Sequence, residues 1–127
     1  MRILLDTHIF LWFINEDSKL GAEQLEILTD ETHQLYLSAA SVWEAGIKFA
    51  LGKLPLPSPP HVYFPSRRVK HGIESLPIEE ADIASLASIP RLHNDPFDRI
   101  IIAQALRHDM IIATVDNAIR QYAVNCL

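Results

Sequence analysis

Short apolar runs alternate along this chain with stretches whose apolar residues recur at helical spacing. Arg2–Leu5 (RILL), Leu35–Leu37 (LYL), Ile73–Leu76 (IESL) and Met110–Thr114 (MIIAT) are brief and bounded by charges or turn residues. Continuous apolar runs of this length predict parallel strands buried on both faces, because a half-exposed strand alternates polar with apolar instead. Between the runs, Leu25 and Leu28, then Val42, Ala45, Ile47 and Phe49, then Ile83, Leu86 and Ala87, mark helices. A last short strand is expected over Ala123–Cys126 (AVNC). The proline-rich Leu54–Pro60 (LPLPSPP) cannot continue a helix or a central strand and reads as a loop between two halves.

Strands and helices in alternation predict an α/β fold, a three-layer α/β/α sandwich with a mostly parallel central sheet. Right-handed crossovers place the helices on both faces. The 127 residues, about half of them apolar, are expected to form one domain over residues 1–127. In such sheets ligands bind outside the carboxyl ends of the strands. That edge is therefore where chemistry is to be sought.

The formal charge of −5 argues against a protein that holds nucleic acid by its overall field. A local basic stretch exists at Ser66–His71 (SRRVKH), where Arg67, Arg68 and Lys70 form either a solvated helix face or a substrate-binding strip. The one cysteine, Cys126, excludes an internal disulfide and a cysteine-based zinc cage. No run nears the roughly 20 apolar residues of a membrane span, and the start MRILLDTHIF carries an acid and a histidine, unlike a signal peptide. A cytoplasmic protein without a membrane partner is expected.

Five acids from four separate segments fall near the predicted ligand edge. Asp6 follows RILL directly, and Asp116 stands two residues beyond MIIAT. Glu44 lies in the mostly apolar helix after LYL, and an acid in such company needs a partner. Asp95 and Asp98 open the helix that leads into MIIAT, so they start from the same edge. Each has an ordinary role: Asp6, with Thr7, and Asp116 as helix caps; Glu44 paired with Lys48 at i,i+4; Asp95 as N-cap, Pro96 at N1 and Asp98 at N3. In that last arrangement the helix dipole is expected to keep Asp98 ionised.

Taken together, gathered carboxylates repel one another unless a cation or shared protons offset their charge. Hard oxygen ligands suit Mg2+ or Mn2+ rather than zinc, and such an ion can orient a phosphodiester and activate water. His8, two residues past Asp6, reads either as a contact to substrate in the cleft or as a structural histidine, and His93 reads similarly. Phe10–Phe13 (FLWF) reads as core, although IFLWFI and the proline loop are also able to expose apolar patches for partners.

LLDTHIFLW, LSAASVWEAGIK, LHNDPFDRIIIAQAL and IATVDNAIRQY resemble, in order and spacing, the four acidic motifs of PIN-domain ribonucleases of the VapC toxin type. The resemblance covers nearly the whole chain. It implies an α/β/α fold, Mg2+- or Mn2+-dependent cleavage of RNA, a homodimer and inhibition by a cognate antitoxin. By position it makes Asp6, Glu44, Asp98 and Asp116 the catalytic metal ligands, with Asp95, Thr114 and Thr7 in support. His8, Lys48, Arg67, Arg68 and Lys70 become candidates for substrate contact. The segment HVYFPSRRVKHG departs from the pattern, since Pro65 is expected to interrupt an otherwise continuous helix.

Three other readings stand beside this one. A haloacid-dehalogenase-like phosphatase needs a second aspartate two residues after Asp6, where His8 stands. A phospho-accepting receiver domain needs its acceptor after a middle strand and a lysine after a late one, and neither is present. A catalytically degenerate PIN-fold binding module is opposed by the complete acid set.

Overall fold

A computed structural model describes the whole chain, residues 1–127. Its elements are β1 (Arg2–Leu5), α1 (Thr7–Ile14), α2 (Ala22–Thr29), β2 (Gln34–Ser38), α3 (Ala39–Ala50), α4 (Pro60–Lys70), β3 (Glu74–Leu76), α5 (Glu80–Leu86), α6 (Pro96–His108), β4 (Ile111–Ala113) and α7 (Asn117–Arg120). The four strands make one parallel sheet in the order β3-β2-β1-β4. This is the predicted α/β fold with its parallel central sheet.

The register explains why the strand sequences are apolar throughout. β1 has neighbours on both sides, with Ile3 opposite Leu35 and Ile111, and Leu5 opposite Leu37 and Ala113. Successive side chains point to opposite faces. Ile3 and Leu5 join Ile9, Phe10, Leu28, Leu37 and Phe64 in one core, under α1, α2 and α4. Leu4 enters a second core with Ile101, Ile102, Ile112 and Ile119, under α6 and α7. Ala45 of α3 packs in the first core and Ala40 in the second. Each fully buried Leu or Ile contributes roughly 1.5–3 kcal/mol of transfer free energy, so one polar substitution in β1 would disturb both layers. Phe10 and Phe64 stack at 5.0 Å between centroids and lock α4 onto α1.

Four expectations need correction. Pro60 does not end the proline loop; it begins α4, where its missing N–H costs no helical bond. Pro65 does not interrupt α4, which runs through it to Lys70. The carbonyl deprived of its donor belongs to His61, an exposed residue that water can reach. The AVNC strand reduces to one parallel bridge between Ile112 and Cys126. Finally, IFLWFI does not form an exposed patch, because Ile9, Phe10 and Ile14 are buried; the exposed large apolar side chains include Trp43, Leu51, Val62 and Val69.

Candidate functional site

The carboxyl edge of the sheet begins at Asp6. Its main-chain N–H donates to the Ala113 carbonyl (3.0 Å), which carries the β1–β4 pairing one residue past the strand. Its Oδ1 accepts from the His8 N–H (3.2 Å) and so caps α1. Its Oδ2 accepts from Thr114 Oγ1 at 2.6 Å. Thr114 is wholly buried and its hydroxyl also accepts from the Asp116 N–H (3.0 Å). One hydroxyl thus ties the first acid to the last motif. Asp116 itself is exposed and caps α7 through the Ala118 N–H (2.8 Å). His8 is exposed beside them, with Nδ1 4.0 Å from Asp6 Oδ1.

The second strand contributes Glu44 through α3. Thr7 Oγ1 lies 3.1 Å from Glu44 Oε1 and 2.8 Å from Ser41 Oγ. The hydroxyl has one hydrogen, which serves the carboxylate as the stronger acceptor and leaves Ser41 as the donor to Thr7. The other oxygen, Oε2, faces Lys48 Nζ at 3.3 Å. Glu44 therefore has both its local partner and a connection to the residue next to Asp6.

The third motif folds as its spacing predicts. Asp95 caps α6, with Oδ1 accepting from the N–H groups of Phe97 (2.9 Å) and Asp98 (3.1 Å), and Pro96 opens the helix. Asp98 points from the first turn to His93, whose Nε2 stands 3.1 Å from Oδ2. Burial, followed by the charges of Asp95, Asp6 and Asp116, pushes the Asp98 carboxyl up to about 6, against the opposing hydrogen bond of His93. Desolvation and like charge thus oppose the helix dipole at Asp98, which at about 6 still ionises below neutral pH. His93 moves upward too, since its bonds to Tyr122 and Asp98 outweigh the effect of burial.

Asp6, Asp95, Asp98 and Asp116 are thus close enough to feel one another, and Thr7 connects Glu44 to the same edge. No three of these groups stand close enough to grip a single ion directly. Mg2+ usually keeps several waters and uses only one or two carboxylates directly, so spaced oxygen donors suit it better than a tight cage.

The basic residues lie elsewhere. Arg67 Nη2 donates to the carbonyl of Ile14 (3.3 Å), the last residue of α1, and Arg68 Nη1 to that of Ile73 (2.9 Å), just ahead of β3. Since α1 leaves the acid edge at Asp6 and spans about 12 Å, these arginines and neighbouring Lys70 occupy the opposite edge. The largest groove, about 630 Å3, also avoids the acids; it runs between α3 and α4 past Trp43, Ile47, His61, Pro65 and Arg68. Two partners lie inside the second and fourth motif segments, yet their contacts had no signal in the sequence. Ser41 reads there as an ordinary helix residue, and Tyr122, which meets His93, lies 29 positions away from it.

A three-layer α/β/α protein with its acids on the carboxyl edge of a parallel sheet is the class this architecture defines. Residues 3–125 match the PIN domain family, and the chain belongs to it. It is 40% identical over 62 residues to Ribonuclease VapC16 of Mycobacterium tuberculosis; that segment is 49% of this chain and 44% of the relative's length. Among solved structures it superposes on a chain of VapBC2 from Rickettsia felis bound to a promoter DNA fragment, with TM-score 0.74, 13% identity, and coverage of 100% of this chain and 98% of the other. A chain of VapBC-1 from nontypeable Haemophilus influenzae gives TM-score 0.63 and 18% identity, covering 100% and 97%. At such identities the likeness establishes the fold. No helix is long and apolar enough to cross a membrane.

Proposed function

We propose that residues 1–127 form one PIN domain that cleaves RNA as a Mg2+- or Mn2+-dependent endoribonuclease, the toxin of a toxin–antitoxin pair. It works in the cytoplasm as a homodimer and is restrained by a cognate antitoxin protein. The observation that carries this reading is the placement of Asp6, Asp98 and Asp116 at the carboxyl edge of the sheet, with Thr114 tying Asp6 to Asp116 and the charges of Asp95, Asp6 and Asp116 acting on Asp98. Their mutual repulsion is what a bound cation would relieve. The likeness to Ribonuclease VapC16 supports RNA as substrate, and the fold shared with chains of VapBC complexes supports the antitoxin.

Asp6, Glu44, Asp98 and Asp116 would hold the cation, all through oxygen. When bound, the ion supplies a polarised phosphodiester and a water acidic enough to attack it. The chain's own residues do the rest. Thr114 fixes the orientation of Asp6, and Thr7 and Lys48 fix that of Glu44. The cap of Asp95 holds the first turn of α6 rigid behind Asp98, and the buried apolar run Ile100–Ile102 anchors that turn in the core. His8, exposed beside Asp6, would be the contact to substrate.

Purified protein incubated with RNA should cleave it in Mg2+ or Mn2+ and stop when EDTA is added. Asp6→Asn should abolish both cleavage and the growth arrest that follows induced expression. Cleavage that ignores EDTA, or full activity of Asp6→Asn, would overturn the reading. Sequencing the RNA ends from wild-type and Asp6→Asn cells then identifies the target.

A further inference from the structure

Beside the acids, the third and fourth motif segments carry a chain of hydrogen bonds leading from the C-terminal segment to Asp98. Its hub is the buried Tyr122. The Tyr122 hydroxyl receives three donors, the N–H groups of Leu92 (3.2 Å) and His93 (3.2 Å) and Nη1 of the buried Arg99 (3.2 Å). Arg99 is held in turn by the Pro90 carbonyl at 3.0 Å. At 2.7 Å from the same hydroxyl lies His93 Nδ1.

These contacts decide the direction of the chain. A phenol has one hydrogen to give, and an oxygen already approached by three donors has no other acceptor in reach for it. The hydrogen goes to Nδ1. Nε2 then carries the imidazole proton and donates it to Asp98 Oδ2 at 3.1 Å. No other hydrogen bond reaches the Asp98 side chain, so its orientation depends on His93 alone, and Oδ1 is left free of protein partners. Anchoring the turn from Pro90 to His93 does not explain this last contact. The main-chain donors of Leu92 and His93 and the side chain of Arg99 would hold that turn to Tyr122 with any residue but proline at position 93.

We propose that His93 is a positioning residue: held by Tyr122 as the Nε2–H tautomer, it orients the Asp98 carboxylate so that its free oxygen meets the cation. This rests on the reading of Asp98 as a cation ligand. It is the arrangement by which a partner behind a metal ligand sets the ligand's direction, and removing such a partner typically weakens metal affinity by about 10–100-fold.

The test measures Mn2+ affinity by electron paramagnetic resonance on the full chain, for wild type, His93→Ala, His93→Gln, Asp98→Asn and the His93→Ala/Asp98→Asn double variant, with urea unfolding of each. Wild type should bind Mn2+ and Asp98→Asn should bind it far more weakly. His93→Ala should lose about tenfold or more, and His93→Gln, whose amide N–H can replace Nε2–H, should recover most of it. The double variant should bind no more weakly than Asp98→Asn, because the two residues act through one contact. Wild-type affinity in His93→Ala alongside a weak Asp98→Asn would overturn the role of His93 and leave the metal site standing. No Mn2+ binding by wild type, or wild-type affinity in Asp98→Asn, would remove the metal-site reading and this inference with it. Should His93→Ala fail to fold, His93→Met fills the space without a donor. Equal affinities for His93→Met and His93→Gln would then overturn the proposal.

Discussion

Thr114 Oγ1 and Asp6 Oδ2 stand 2.6 Å apart across 108 positions of sequence. The bond is buried, its acceptor is a carboxylate, and its donor oxygen also receives the Asp116 N–H. It is where β1 and β4, paired through their strands, continue into the acid edge. Hydrogen bonds to charged groups contribute about 1.5–3 kcal/mol, so Thr114→Val should destabilise the fold by that order in a urea titration. Thr114→Ser keeps the hydroxyl and should retain most of the stability. Wild-type stability in the valine variant would mean that the bond has no energetic role.

Asp95 and Asp98 should separate cleanly on substitution. Asp95 makes two cap bonds, and serine can supply the same acceptor, so Asp95→Ser should keep the melting temperature and most RNA cleavage, whereas Asp95→Ala should lose about 1 kcal/mol. Asp98→Asn should fold and be inactive. Cleavage assays with melting curves check both, and an inactive Asp95→Ser beside an active Asp98→Asn would exchange the two roles.

His71 gives the fold a pH dependence away from the acids. Burial first, then the charges of Arg67 and Lys70, hold its imidazole below the ordinary 6.5, with Glu16 opposing weakly. Its Nε2 is buried without a partner and its ring packs 5.5 Å from that of Phe13, a setting that favours the neutral form. Because the folded chain binds this proton less tightly than the unfolded one, the stabilisation is present above 6.5 and is lost as pH falls through the folded value. The His71 resonances should titrate below 6.5. Stability should also fall less steeply towards about pH 5 in His71→Phe than in wild type.

Gln104 joins two helix starts in the second core. It is wholly buried; its Oε1 accepts from Ser38 Oγ (2.6 Å), the cap of α3, and its Nε2 donates to the Pro77 carbonyl (3.1 Å). Gln104→Leu leaves the buried Ser38 hydroxyl without an acceptor for its hydrogen, which costs about 1–3 kcal/mol, while the carbonyl of the exposed Pro77 can turn to water. Urea unfolding should show a loss within that range, and an unchanged midpoint would contradict the bond assignments.

The strands were legible because each is a short apolar run, and Ile3, Leu4 and Leu5 have to be apolar when both faces of β1 are covered. The start of α6 was legible for a different reason. Asp95, Pro96 and Asp98 satisfy main-chain donors within three residues of one another, so their spacing alone encodes the cap. Pro65 misled because its local penalty is real; an exposed turn simply tolerates it.

By itself, the sequence determined the α/β alternation and the caps, since each depends on side-chain period or on hydrogen bonds between near neighbours. Only the tertiary structure decided that Thr114 reaches Asp6, that Tyr122 directs His93 to Asp98, that Arg67 and Arg68 face away from the acids, and that Asp98 is pushed up to about 6. Those facts follow from burial and from charges on segments far apart in the chain, and Coulomb energy and desolvation depend on distance in space rather than in sequence.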